Sequence, residues 1–222
     1  MINIKNLNKK FQENKNSSFT ALKDINLTIK DGEFVILKGV SGSGKSTLLS
    51  IIGATMKPTS GEVEVDGENI VSYSDFHAAN YRNKKVGFVT QFFYLFDELS
   101  TKENVSIPLI ATNFCNKKAQ DTIDHALQIA NISHKADQRV KTLSGGEKQR
   151  CVIARALVNS PKIIICDEPT ANLDHTNSIK FIEIIMKLKE MKKTVIIATH
   201  DPLFEELKCV DRVVNIKEGS LE

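Results

Sequence analysis

Apolar residues recur at every second position in two stretches near the start of the chain, INIKNL (Ile2–Leu7) and ALKDINLTI (Ala21–Ile29). A period of two predicts strands with one buried face, and KDGE (Lys30–Glu33) supplies the turn that follows. FVILK (Phe34–Lys38) is an uninterrupted apolar strand running into glycines. GEVEVDGENI reads as a strand pair about Asp66-Gly67, a strong hairpin signal, and KKVGFVTQ as a further strand. From about Phe92 to Lys141 the period becomes helical, with Ile123, Ala126, Leu127 and Ala130 on one face. PKIIICDE and KTVIIATHD are apolar strands, and Ile179, Ile182, Ile185 and Met186 fall at helical spacing between them. Strands alternating with helices predict an α/β fold on a largely parallel sheet. The stretch from about 92 to 150 reads as a helical subdomain inserted into that sheet.

Composition adds limits. A chain of 222 residues, 41% hydrophobic and 26% charged, is long enough for one large domain or two small ones with a proper core. The net charge of +3 comes from interspersed lysines and acids, which favours no nucleic-acid partner. Cys115, Cys151, Cys166 and Cys209 show neither a CxxC pair nor metal-ligand spacing, so buried thiols in a reducing compartment are expected. MINIKNLNKKF has no apolar signal region, and no apolar run approaches the ~20 residues of a membrane span. A cytoplasmic protein is expected.

Two motifs carry chemistry. GVSGSGKST (Gly39 to Thr47) follows the strand FVILK and precedes an apolar helix start, the setting a phosphate loop requires. Its glycines let several backbone N–H groups face a phosphate, Lys45 brings a point charge to the β- and γ-phosphates, and Ser46 offers a hydroxyl to magnesium. IIICDE ends an apolar strand in two acids. Asp167 is suited to hold magnesium, and Glu168 to orient and deprotonate an attacking water. Together they point to a nucleoside triphosphatase. With no N/T-K-x-D stretch to specify guanine, the expected nucleotide is ATP.

LSGGEKQR (Leu143–Arg150) poses a separate problem. Ser144 and Glu147 form an S-x-x-E capping box, which alone marks a helix start. It leaves unexplained the two glycines between them, each costing about 1 kcal/mol in a helix. Bare backbone at a helix N-terminus suits a phosphate.

Taken in order, GVSGSGKST, Gln91, LSGGEKQR, IIICDEPTANLD and ATHD resemble the motifs of an ATP-binding cassette (ABC) ATPase across essentially the whole chain. The resemblance implies a P-loop NTPase of ABC type, with a mixed, mostly parallel sheet core, an N-terminal antiparallel β subdomain and an inserted α-helical subdomain. The core would comprise 1–91 and 151–222, and the helical part 92–150. It implies MgATP bound by Gly39, Ser41, Gly42, Ser43, Gly44, Lys45, Ser46 and Thr47, with magnesium held by Ser46, Gln91 and Asp167. Glu168, His200 and Gln91 would be catalytic. Ser144, Gly145 and Gly146 would contact the γ-phosphate of ATP held by a second copy, so that ATP is sandwiched in a homodimer with Asp174 at its seam. Phe11 stands where such proteins stack an aromatic on adenine, and a core role in the first sheet remains open for it.

The resemblance also implies a partner, an integral-membrane permease at whose inner face the chain would sit peripherally. FFYLF (Phe92 to Phe96) lies where a coupling helix docks in transporters, and these rings are equally suited to a helical core. ENVSIPLI (Glu103–Ile110), the short C-terminus and ARALVNSPKIIICDEPTANLD look most like the macrolide-export and lipoprotein-release branch. That branch implies export or mechanotransmission of a peptide, antibiotic or lipoprotein. Two alternatives stand beside it. One is a cell-division type ABC ATPase that regulates a membrane partner without transport; the other is a soluble one acting on nucleic acid.

Overall fold

Every apolar stretch predicted as a strand is one in the computed structural model, which describes residues 1–14, 17–112, 116–204 and 207–222. Two long strands open the chain, β1 (Ile2–Asn14) and β2 (Ser17–Ile29), paired antiparallel. They outrun the predicted stretches because bulges carry the pairing past breaks in the alternation. Asn6 and Asp24 take positive φ of 48° and 46° there, and the register shifts between Ile4 and Leu7. β3 (Phe34–Lys38) leads through the glycine loop into α1 (Lys45–Ile52). β4 (Ser60–Val65) and β5 (Glu68–Asn69) flank the Asp66-Gly67 turn, where φ of 53° and 82° at the two central residues matches a type I′ hairpin.

Next come α2 (Asp75–Lys85) and β6 (Val86–Thr90), then the helical stretch with α3 (Thr101–Ser106), α4 (Asn116–Ile129) and α5 (Gly145–Leu157). β7 (Ile163–Asp167), α6 (His175–Glu190) and β8 (Thr194–Ala198) follow, and the hairpin of β9 (Arg212–Lys217) and β10 (Ser220–Leu221) comes last. The larger sheet has the order β10-β9-β3-β8-β7-β6, parallel apart from β10, and the smaller is antiparallel in the order β2-β1-β4-β5.

Alternation along the central strands divides the interior in two. Phe34, Ile36, Ile164, Cys166, Val195 and Ile197 face one core, shared with α4, α5 and α6. Val35, Leu37, Ile163, Ile165, Ile196 and Ala198 face the other, shared with α1 and the smaller sheet. These strands are apolar throughout because both faces are covered.

Helix α4 buries the predicted face of Ile123, Ala126 and Leu127, with Ala130 just beyond its end. In α6 the prediction is half right. Ile182 and Ile185 are buried, but Ile179 and Met186 are 38% and 42% exposed, and Phe181, Ile184 and Leu188 complete the inner face. A buried stripe wider than one residue per turn can be phased either way from spacing alone. The expected free thiols are found at buried Cys151 and Cys166 and half-buried Cys209, while Cys115 lies outside the described residues. Burial pushes the Cys151 thiol up to about 12, which leaves it unreactive. Among the described residues no helix is long and apolar enough to cross a membrane.

Candidate functional site

The loop from Gly39 to Gly44 is held by close backbone packing on two sides. A Cβ on Gly39 would stand 2.2 Å from the Ile216 carbonyl oxygen, and one on Gly44 would stand 2.6 Å from that of Ala21. Gly44 also has φ 109°, a conformation that side chains resist. β2 and β9 thus leave the loop only the width of a glycine backbone. Gly219, in the turn between β9 and β10, donates its N–H to the Ser43 carbonyl oxygen at 3.0 Å.

Helix α1 then starts with neither a side-chain cap nor an acid in its first turn. The positive end of its dipole and its free N–H groups therefore remain for an outside anion. Ser43 Oγ, beside it, is buried and has no hydrogen-bond partner among the described residues. An orphaned hydroxyl at an uncapped helix start is what a phosphate oxygen would satisfy. Ser41 and Gly42 are exposed at the tip of the loop, and Thr47 is half-buried on α1.

Five predicted residues meet at this loop. Lys45 is buried, donating to the carbonyl oxygens of Gly39 (2.7 Å) and Val40 (3.2 Å), with Nζ 3.6 Å from Glu168 Oε1. Ser46 donates to Asp167 Oδ1 at 2.9 Å. Glu168 also faces His200, whose Nδ1 lies 3.1 Å from Oε1 and 3.0 Å from Oε2. The chain turns sharply to aim Glu168 there, with φ 44° and its N–H on the Ala198 carbonyl oxygen at 2.8 Å. Burial raises the Asp167 carboxyl above the usual range, the neighbouring Glu168 raises it further, and the Ser46 hydroxyl opposes both.

Ser46 and Asp167 are hard oxygen donors of the kind magnesium takes. Among the described residues no group of three or more His, Cys, Asp or Glu side chains is placed to hold a metal ion. The site therefore fits a magnesium that completes its coordination with substrate phosphate and water.

Ser144, Gly145, Gly146 and Asp174 form a second group. Ser144 caps α5 in the predicted box, its N–H donating to Glu147 Oε2 at 2.8 Å while its Oγ accepts from the Glu147 N–H at 3.4 Å. The hydroxyl proton is not used by this cap. The Ser144 N–H and Lys135, 3.4 Å away, hold the Glu147 carboxyl below the usual range.

The two glycines prove unlike. Gly145 is open, with only the Asn172 carbonyl oxygen 3.9 Å from where a Cβ would sit. At Gly146 a Cβ would lie 2.2 Å from Asn177 Oδ1, so its bareness has an internal cause that spacing could not reveal. Asp174 caps α6, accepting from the Asn177 N–H (2.8 Å) and Nδ2 (2.9 Å), and that backbone bond lowers its carboxyl. Among the described residues no hydrogen bond or ion pair joins Ser144, Gly145, Gly146 or Asp174 to Lys45, Ser46 or His200.

Gln91 follows β6 and is exposed; its carbonyl oxygen accepts from Asn172 Nδ2 at 3.0 Å. Phe11 is half-buried on β1 opposite Phe19, with Lys9 Nζ 5.0 Å above its ring, and belongs to neither core. The FFYLF rings divide by alternation. Phe93 and Leu95 pack on the core, while Phe92, Tyr94 and Phe96 are 62%, 71% and 58% exposed. The backbone beneath them is pinned, since Arg155 donates to the Phe93 (2.8 Å) and Tyr94 (2.6 Å) carbonyl oxygens and Asn104 Oδ1 accepts from the Phe96 N–H at 2.8 Å. Beside Tyr94 runs a groove of 480 Å³ lined by Arg82, Asn83, Phe88, Pro108 and Arg155.

The comparisons with known proteins agree with one another. The ABC transporter family profile matches residues 22–171. Over 222 residues the chain is 39% identical to the lipoprotein-releasing system ATP-binding protein LolD of Pseudoalteromonas translucida, covering all of this chain and 94% of that protein. It is also 39% identical to the macrolide export ATP-binding/permease protein MacB of Campylobacter jejuni, covering all of this chain and 33% of that longer protein. The dimeric post-hydrolysis structure of the ATP-binding cassette MJ0796, bound to ADP and Pi, superposes with a TM-score of 0.90. It is 38% identical, over 100% of this chain and 97% of that one.

Proposed function

The chain belongs to the ABC transporter family, and we propose that it is the ATP-hydrolysing subunit that drives a separate membrane permease. The observation that carries this reading is Glu168, its carboxylate set between Lys45 and His200 at the mouth of the phosphate loop. In this reading the nucleotide's phosphates sit on the N-terminus of α1, with the Ser43 hydroxyl donating to them and Lys45 neutralising their charge. Ser46, Asp167 and Gln91 would hold magnesium, which would supply further charge neutralisation on the phosphates. Glu168 takes a proton from a water whose oxygen bonds the γ-phosphorus as the bond to ADP breaks. His200, 73% exposed on its side chain, is free to turn toward the γ-phosphate. Phe11 stacks on the adenine.

Two copies pair head to tail, Ser144 and Gly145 of each meeting the γ-phosphate bound by the other, with Gly146 supporting that turn and Asp174 at the seam. The dimeric state of the MJ0796 cassette supports this arrangement. Closure moves the helical part, 92–150, relative to the core formed by 1–91 and 151–222. The permease seats against Phe92, Tyr94, Phe96 and the adjacent groove, on the cytoplasmic face of the membrane. The cargo is a lipoprotein, peptide or antibiotic; likeness to LolD, of a lipoprotein-releasing system, and to MacB, of macrolide export, supports the first and the last. No nucleic acid takes part.

The test is a tagged Glu168→Gln protein isolated from its native host in ATP. It binds ATP without hydrolysing it, is trapped as a dimer and carries with it a polytopic membrane protein with a large extracytoplasmic domain. A variant that stays strictly monomeric in ATP sinks the paired-site account. Recovery only with ribosomes or nucleic acid sinks the permease.

A further inference from the structure

The stretch from Glu168 to Asp174 is tied to every other part of the site. Its first residue meets Lys45 and His200. Thr170 donates to Asp201 Oδ2 at 2.8 Å, next to His200, and Asn172 donates to the Gln91 carbonyl oxygen. The remaining tie comes from α5. Gln149 is only 2% exposed, and its Nε2 donates to the Pro169 carbonyl oxygen at 3.0 Å, one residue beyond Glu168. Gln149 lies one helical turn after Gly145, and Gly146 rests against Asn177 at the start of α6, with Arg150 Nη1 3.4 Å from the same amide oxygen. The N-terminal half of α5 is thereby tied to the Glu168–Asp174 stretch at Pro169 and to the start of α6, whose Asn177 bonds Asp174.

We propose that Gln149 is a positioning residue that couples the two nucleotide sites of the dimer. The inference rests on the reading that Ser144 and Gly145 close on the partner's nucleotide. When they do, α5 is seated, and the Gln149 amide carries that seating to Pro169. Glu168 of the same chain is then held at its own nucleotide. A general base must be placed to within a fraction of an ångström, and a displacement near 1 Å costs about 100-fold in rate. Each site so reaches full activity only when the other has closed, the buried bond passing the movement of the helical part on to Glu168. Gln149 is buried behind Pro169, so its effect passes through Glu168.

The experiment uses the full chain with Gln149→Met, which keeps the length and apolar packing of the side chain and removes its donor. ATPase rate against ATP concentration is measured with binding of a fluorescent ATP analogue and a thermal melt. The expected result is kcat down roughly tenfold with a lower Hill coefficient, the cooperativity that remains being that of ATP-driven pairing. Analogue affinity stays within about twofold, while the Pro169 carbonyl left without its donor lowers the melting temperature by a few degrees. If Gln149→Met does not fold, Gln149→Asn, too short to reach Pro169, carries the same expectation. Wild-type cooperativity and rate in the variant would overturn the coupling role. A loss that follows affinity and melting temperature together would overturn it as well, leaving Gln149 merely structural. No hydrolysis by the wild-type chain would instead strike the proposed function itself.

Discussion

Gly146 and Asn177 are in contact so close that any side chain on the glycine would displace the amide: its Cβ would lie 2.2 Å from Asn177 Oδ1. The neighbouring Gly145 has no such obstacle within 3.9 Å. Two adjacent glycines therefore answer two demands, one from inside the chain and one from outside it.

Alanine substitution separates those demands. Gly146→Ala must push the Asn177 amide off its bonds to Asp174 and Arg150, which offsets the roughly 1 kcal/mol that alanine gains over glycine in a helix, so its melting temperature should be no higher than wild type. Gly145→Ala should raise the melt of the isolated chain by a degree or two, since alanine fits the space there and relieves the helical cost of glycine. In a Glu168→Gln background, Gly145→Ala should weaken ATP-driven dimerisation in sedimentation velocity. Equal melts for the two variants would contradict the packing difference.

Asp167 carries a cost to stability that its neutral analogue avoids. Its folded-state pKa is raised, by burial first, so the ionised form is disfavoured in the fold. That cost is absent below the ordinary carboxylate pKa and grows as pH rises from there through the raised value. Asp167→Asn should thus melt a few degrees higher than wild type at pH 7 without nucleotide, with the gap closing toward pH 4. Magnesium-dependent ATPase activity should be lost. A variant less stable than wild type at pH 7 would refute the sign.

Lys45→Ala removes the buried ammonium that contacts the Gly39 and Val40 carbonyl oxygens. Affinity for ATP, measured by equilibrium dialysis, should fall at least about tenfold, since charge-assisted bonds to phosphate are the strongest at such a site. Unchanged binding would mean that the phosphate seat lies elsewhere.

Phe92→Ala with Tyr94→Ala tests the outward rings. Both are more than half exposed, so the melt and the ATPase activity of the isolated chain should hardly change. Recovery of the membrane partner in the Glu168→Gln pull-down should drop severalfold, as expected when aromatic anchors are removed from an interface. Full recovery would move the docking surface away from this groove.

What could be read along the chain was whatever is decided locally. The phosphate loop needs its glycines within nine residues, and buried parallel strands such as Ile163–Cys166 announce themselves by unbroken apolarity. The capping box at Ser144 and Glu147 is likewise a four-residue pattern. Helix α2 went unanticipated because Tyr81 is its one buried residue, which leaves no stripe to detect. β9 and β10 were missed because their apolar positions are few and lie among charges. In the site, Gln149, Asn172 and Asn177 were invisible for another reason. Each acts on a backbone or glycine many residues away, and a polar residue looks the same whether it reaches solvent or a buried carbonyl.

The alternation of β7 between the two cores has a consequence for how this chain can change over time. Asp167 faces α1, and so meets Ser46, because it shares its side of the sheet with Ile163 and Ile165. Exchanging one branched residue for another along that strand leaves this parity alone. Deleting or inserting a single residue would turn Asp167 to the far side and present a neighbour to Ser46 in its place. Drift in what the strand is made of is therefore cheap, while drift in its length is forbidden, and indels should be found in the turns instead.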